Sequence, residues 1–140
     1  MKKLNHFLQY IFINIFFLIF KILGFRKSSD LGNIIGKYLG PIFRSKKSII
    51  NNLEKAGINK NQNIIATNVL GNYGRILAEY VHLKNFKNNK LYKYISIEGV
   101  EHFESIKKTK KPVVFISGHF NNFELMAMQI ENSGIECAAL

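Results

Sequence analysis

Between Leu4 and Phe25 the chain reads LNHFLQYIFINIFFLIFKILGF, an apolar run interrupted by Asn5, His6, Gln9, Asn14 and Lys21. As a helix these 22 residues span about 33 Å, against a bilayer hydrocarbon core of about 30 Å. Only Asn14 sits near the middle, and Lys21 is close enough to one end to snorkel. From Asp30 to about Phe86 the apolar period is helical throughout. Gly32, Gly36 and Gly40 share one helix face, which would allow close packing against a neighbour, and Pro41 predicts that this helix ends there. Ser45–Ala56 reads as a short helix stopped by Gly57, and Asn63 to about Leu83 as a longer one with Ile64, Ile65, Val69, Ile76, Leu77 and Tyr80 on its apolar face. After Phe86 the period changes. Tyr92–Glu98 alternates like a strand, Gly99–Lys108 is helical, and Pro112–Ser117 is a continuous apolar run of buried-strand type. Asn121–Ser133 is helical again, ended by Gly134, and Ile135–Leu140 opens another strand-like run.

Strand, helix, strand, helix, strand predicts the start of a mainly parallel sheet. The expected class is therefore α/β: an N-terminal membrane-associated helix, a helical lead-in, then the first strands of an incomplete sheet. The corresponding divisions are residues 1–27 as anchor, 28–90 as helical region and 91–140 as the first part of an α/β domain. A final apolar run would leave a sheet edge uncovered, so an N-terminal fragment or a split reading frame is expected.

Flanking charge refines the first segment. Lys2 and Lys3 precede it and resemble a secretory n-region, but the apolar run is long for a signal peptide and Arg26 and Lys27 follow in place of a small-residue cleavage site. A retained membrane helix, spanning or interfacial, is favoured over a cleaved signal, with a buried soluble helix third. The cations that follow the segment place its C-terminal side in the cytoplasm. Twenty Lys and Arg against nine Asp and Glu give a net charge of +11, which points to an anionic partner. Seventeen of these cations are Lys, beside twenty Ile and sixteen Asn, so part of the basicity reflects the bias of an AT-rich coding sequence. With three Arg and no recognition motif, a nucleic-acid partner is not expected. The lone cysteine, Cys137, excludes a disulfide scaffold and sits in an apolar run where a buried structural thiol is expected.

The segment with chemical content is Ser117-Gly118-His119-Phe120-Asn121-Asn122-Phe123-Glu124. A histidine follows the end of an apolar run, and a carboxylate stands five residues on. On one continuous helix that separation turns the pair about 140° apart. A pairing therefore needs His119 in the loop and Glu124 in the first helical turn. There the carboxylate holds one imidazole nitrogen and leaves the other as a general base. The other histidines lack the spacing, since Ile11, Lys87 and Lys107 occupy their equivalent positions. The structural alternative is a capping box, with Asn121 as N-cap and Glu124 three residues in. Ser117 reads as turn chemistry, and Lys107, Lys108, Lys110 and Lys111 as a solvated loop able to meet an acidic surface. No second His, Cys or acid stands at metal-ligand spacing around His119, so no metal is expected.

The run PVVFISGHFNNFELMA resembles the His-x4-Asp/Glu block of the glycerolipid acyltransferase superfamily. More narrowly, GHFNNFEL is similar to the Gly-His-Phe-Gly-Asn-Trp-Glu-Leu block of bacterial lipid A biosynthesis (lauroyl/myristoyl) acyltransferases, with Asn121 in place of Gly and Phe123 in place of Trp. The hydrophobic N-terminus, the basic stretch Arg44–Leu53 and the segment ISIEGVEHFESI agree with it. The resemblance implies acyl transfer from an acyl carrier protein thioester to a hydroxyl of a membrane lipid, with His119 as base and Glu124 orienting it. It also implies a bacterial inner-membrane location with the catalytic region on the cytoplasmic side and no cofactor beyond the acyl donor. Asn121 and Asn122 are expected at the substrate site, with backbone N–H groups at the Asn121 helix start as candidate oxyanion donors. Another lysophospholipid or glycolipid acyltransferase, or a noncatalytic membrane-anchored remnant, remains open at this point.

Overall fold

The N-terminal apolar run forms helix α1, Lys2–Leu23. The computed structural model describes residues 2–118 and 120–137. Segment His6–Leu23 is long and apolar enough to cross a membrane, and only 6% of it is buried within the protein. Its large side chains, among them Phe12 and Ile22, are exposed, whereas Phe20 is buried. Such a surface is stable where lipid replaces water. Asn14, the central polar residue, donates its side-chain amide to the Tyr10 carbonyl at 2.7 Å, which satisfies it within the helix. Gly24, at φ 75° and ψ 168°, ends α1 in a conformation that side chains resist.

Helix α2, Phe25–Phe43, runs through Pro41 to Phe43. The stop expected at Gly40–Pro41 is thus displaced. Proline removes one donor, a small loss in a last turn, and the Arg44 N–H closes that turn onto the Gly40 carbonyl at 2.9 Å. Helix α3, Lys46–Lys55, begins where expected: the Ser45 hydroxyl caps it by accepting from the Lys47 N–H. Gly57, at φ 75°, ends it in a Schellman-type turn, with the Ile58 N–H bonded to the Leu53 carbonyl at 2.8 Å.

Helix α4, Gln62–Glu79, lies antiparallel against α2. The small-residue face of α2 determines how closely. A Cβ added to Gly32 would stand 2.4 Å from the Gly74 carbonyl oxygen, and one on Gly36 would stand 2.3 Å from that of Leu70. The two backbones are therefore in van der Waals contact, which only glycine allows at these positions. On the other flank α3 packs through Ile49 onto Ala66 and Leu70 of α4, with Ile50, Leu53 and Val69 around them.

The chain divides into two units, Met1–His82 and Leu83–Leu140. The first holds α1–α4 and a single 3-10 turn, Tyr80–His82. The second holds α5 (Leu83–Lys87), a 3-10 turn at Tyr92–Tyr94, α6 (Val100–Thr109) and α7 (Glu124–Asn132). Phe86 of α5 and Ile130 of α7 are its buried apolar residues among those described, and Lys87 pairs with Glu131 at 2.8 Å. Phe103 and Phe115 meet edge to face with centroids 6.5 Å apart.

The α/β expectation is overturned. Among the described residues there is no strand. Tyr92–Glu98 is a 3-10 turn followed by irregular chain, and Pro112–Ser117 is irregular, with Val114 and Ile116 at 85% and 91% exposure. The strand reading of Ile135–Leu140 falls partly on residues 138–140, outside the described residues. The physical reason is that β-propensity is local while a ladder is not. A run such as PVVFIS satisfies its N–H and C=O groups as a strand only beside a second extended backbone. No such backbone is provided, so no sheet forms among the described residues of the stretch 91–140.

Candidate active site

The segment singled out by its chemistry is the loop into α7. Gly118 and Phe120 form a tight turn, the Phe120 N–H reaching the Gly118 carbonyl at 2.8 Å. A Cβ on Gly118 would collide with the Phe120 ring, which closes over it. The Ser117 hydroxyl donates to the Gly118 carbonyl at 3.1 Å, a turn contact rather than a poised nucleophile. His119 lies outside the described residues.

Asn121 is at φ 50°, in the left-handed region. An N-cap side chain acts from an extended backbone, so the capping box expected between Asn121 and Glu124 does not form. The helix instead begins at Glu124, with Phe123 before it and no side-chain cap. Its first turn closes through Leu125 N–H to Asn122 C=O at 3.2 Å and Met126 N–H to Phe123 C=O at 3.0 Å. The amides placed by the sequence reading at a helix start at Asn121 thus belong to a loop. Asn122 is buried, Asn121 exposed. Glu124 is half-buried in the first turn of α7, where the positive end of the helix dipole favours a carboxylate, and it makes no ion pair among the described residues.

The surrounding expectations fare unevenly. Lys107, Lys108, Lys110 and Lys111 are all exposed, as a solvated cationic surface requires. Lys107 is engaged by Glu104, whose carboxyl it holds below the usual carboxylate range. Cys137 is exposed, not the buried thiol expected, with Sγ 3.6 Å from the Ile135 carbonyl. A run read as a strand interior has no sheet to bury it.

Sequence reasoning missed a buried polar cluster in the first unit. The Ser29 hydroxyl donates to Glu79 Oε1 at 2.8 Å, and Arg75 Nη1 donates to Ser29 Oγ at 3.1 Å and to Asp30 Oδ1 at 3.2 Å. Beside it the Ser28 hydroxyl lies 3.0 Å from His82 Nε2. Ser28, Ser29, Glu79 and His82 are all buried. The signal was present: Ser28, Ser29, Gly32 and Gly36 follow one face of α2, and Glu79 and His82 continue the face of Gly74 and Ala78. The cluster ties α2 to α4 and to the turn after it.

The described part of the block, from Asn121 to Glu124, leads into α7, and a long apolar helix opens the chain. The family model described as bacterial lipid A biosynthesis acyltransferase matches residues 1–140, and the chain belongs to that family. No curated protein and no solved structure gives a significant match to it.

Proposed function

We propose that this chain carries the acyl-transfer base of a lipid A acyltransferase. The observation that carries the reading is membership of the family over the whole of residues 1–140. The block Gly118–Glu124, with its carboxylate at the start of α7, supplies the residues.

In the proposed reaction His119 takes the proton of a lipid A precursor hydroxyl, and the oxygen attacks the thioester carbonyl of an acyl carrier protein. The tetrahedral intermediate collapses with expulsion of the carrier thiolate, which recovers the proton from the imidazolium. Glu124 orients the imidazole and stabilises its charged form. A thioester is already activated, so no enzyme nucleophile is required, and Ser117 and Cys137 have no part in the step. Asn121 and Asn122 contact the substrate in this reading, and the exposed lysines at the end of α6 and just after it meet the acidic carrier. Helix α1 holds the protein at the bacterial inner membrane, with the catalytic region on the cytoplasmic side, where acyl carrier protein resides.

The test is acyl transfer from radiolabelled acyl carrier protein to a lipid A precursor, in membranes containing the protein that carries this sequence. His119→Ala is expected to remove transfer. Undiminished transfer by that variant would sink the mechanism.

A further inference from the structure

The α2–α4 pair carries a groove that the acyl-transfer step leaves unused. It has a volume of about 400 Å³, and its polar lining is Asn33 and Lys37 from α2 with Asn68, Asn72 and Arg75 from α4. The spacing explains the convergence. Asn33 and Lys37 are four residues apart on α2, Asn68 and Asn72 four apart on α4, and Arg75 follows on the same face.

Glycine makes the space. A Cβ on Gly71 would stand 2.6 Å from Asn33 Nδ2 and 3.0 Å from Lys37 Cγ, so both side chains lie across the position that a larger residue would fill. Arg75 is held in place from behind: its Nη1 bonds Ser29 and Asp30, which fixes the guanidinium plane. Lys37 is half-buried and has no carboxylate partner among the described residues. Asp30, the acid bonded to Arg75, is mostly in solvent, its side chain 72% exposed. The groove therefore presents two cations and three amides, with an excess of N–H donors over acceptors. The unit around it is strongly basic, with twelve Lys and Arg against three Asp and Glu in residues 1–82.

We propose that this groove binds a phosphate group, as a monoester or diester. A tetrahedral oxyanion accepts from several directions at once, which suits a lysine on one rim, an arginine on the other and amides between. Two sources share that chemistry: a phospholipid head group and free phosphate. Asn33 stands about 14 Å along α2 from the Gly24 joint with α1, within reach of a head-group layer. The site is independent of the acyl-transfer reading.

The experiment uses the full chain in neutral maltoside micelles, titrated calorimetrically with inorganic phosphate and, separately, with monomeric dihexanoyl phosphatidic acid. The variants are Lys37→Met, which keeps the stem over Gly71, Asn72→Leu at an exposed position, and Lys60→Met as an exposed control. Saturable binding weakened about tenfold or more by Lys37→Met and by Asn72→Leu, but not by Lys60→Met, is expected. Comparable affinity for both probes assigns free phosphate; binding of the phosphatidate only assigns a lipid head group. Absence of saturation with either probe, or equal weakening by Lys37→Met and Lys60→Met, overturns the proposal. If Lys37→Met fails to give the parent's circular dichroism, Asn72→Leu against Lys60→Met decides.

Discussion

His82 Nε2 lies 3.0 Å from the Ser28 hydroxyl, 54 residues earlier in the chain, and both side chains are buried. The same imidazole bonds the Phe20 backbone, so one ring joins the end of α1, the start of α2 and the turn after α4. The Ser28 hydroxyl also donates to the Phe25 carbonyl at 2.9 Å. Phe25 stands edge-on to the imidazole at 6.1 Å. Removing the ring leaves Ser28 enclosed beside a cavity, and His82→Ala is expected to cost on the order of 2 kcal/mol, read as a lower denaturation midpoint.

That junction also titrates. Burial holds the His82 imidazole below its ordinary value of 6.5, while the Phe20 hydrogen bond and the nearby Glu79 charge pull it partway back. The unfolded chain then binds the proton more readily than the folded one. The stability contributed by the neutral ring is complete above pH 6.5 and is lost as pH falls through that value toward the lowered folded one. The melting temperature is expected to drop between pH 8 and pH 5 by more in the parent protein than in His82→Gln. Equal drops would remove His82 from the account.

The contact between α2 and α4 gives a sharper mutational contrast. A Cβ on Gly74 would stand 2.0 Å from the Gly32 carbonyl oxygen, a backbone atom that can move only by parting the helices. On Gly40 the nearest atom is the Leu70 Cβ at 3.0 Å, a contact relieved by a shift of a few tenths of an ångström. Gly74→Ala is expected to destabilise by about 3 kcal/mol, and Gly40→Ala to be near neutral because the gain in helix propensity, about 1 kcal/mol, offsets the crowding. Urea unfolding of the pair measures the difference.

Local signals were the legible part of this protein. Ser45 and Gly57 mark the ends of α3 because caps act within a few residues, and the glycine spacing on α2 announced its tight neighbour without naming α4. What depended on distant partners was not legible. The Ser28–His82 junction joins residues 54 positions apart, and the small-residue faces that carry them do not say which helices meet. Pro112–Ser117 carries strand propensity but no second backbone to pair with, so it stays irregular. At the candidate site the block Gly118–Glu124 was found by residue type and spacing, and Glu124 does open a helix. The capping role given to Asn121 failed because that residue turns left-handed, a choice made by the loop as a whole. The family followed from that block, whereas the sheet expected beneath it did not.

The Ser45 cap allows a test of that local logic. Its hydroxyl accepts the Lys47 N–H at 3.2 Å, and Ile49, one turn on, enters the core with Ala66 and Leu70. Ser45→Ala is expected to cost about 1 kcal/mol, and Ser45→Asp to retain most of the parent stability by supplying another acceptor. Matched losses in both variants would show that the cap hydrogen bond is not what the hydroxyl contributes.

The proposed mechanism separates most cleanly at Glu124. Its side chain makes no ion pair among the described residues, and its structural contribution is the favourable placement of a negative charge in the first turn of α7. Glu124→Gln keeps the size of the side chain and removes that charge, so the stability loss is expected to stay below about 1 kcal/mol. If the carboxylate orients His119 and stabilises its imidazolium, the same change lowers kcat about a hundredfold while KM for the acyl donor stays near the parent value. A Glu124→Asp variant, which restores charge at a shorter reach, is expected to recover part of the rate. A variant Glu124→Gln that keeps full kcat, or loses activity only in step with its folding, would show that the carboxylate serves the helix and not the reaction.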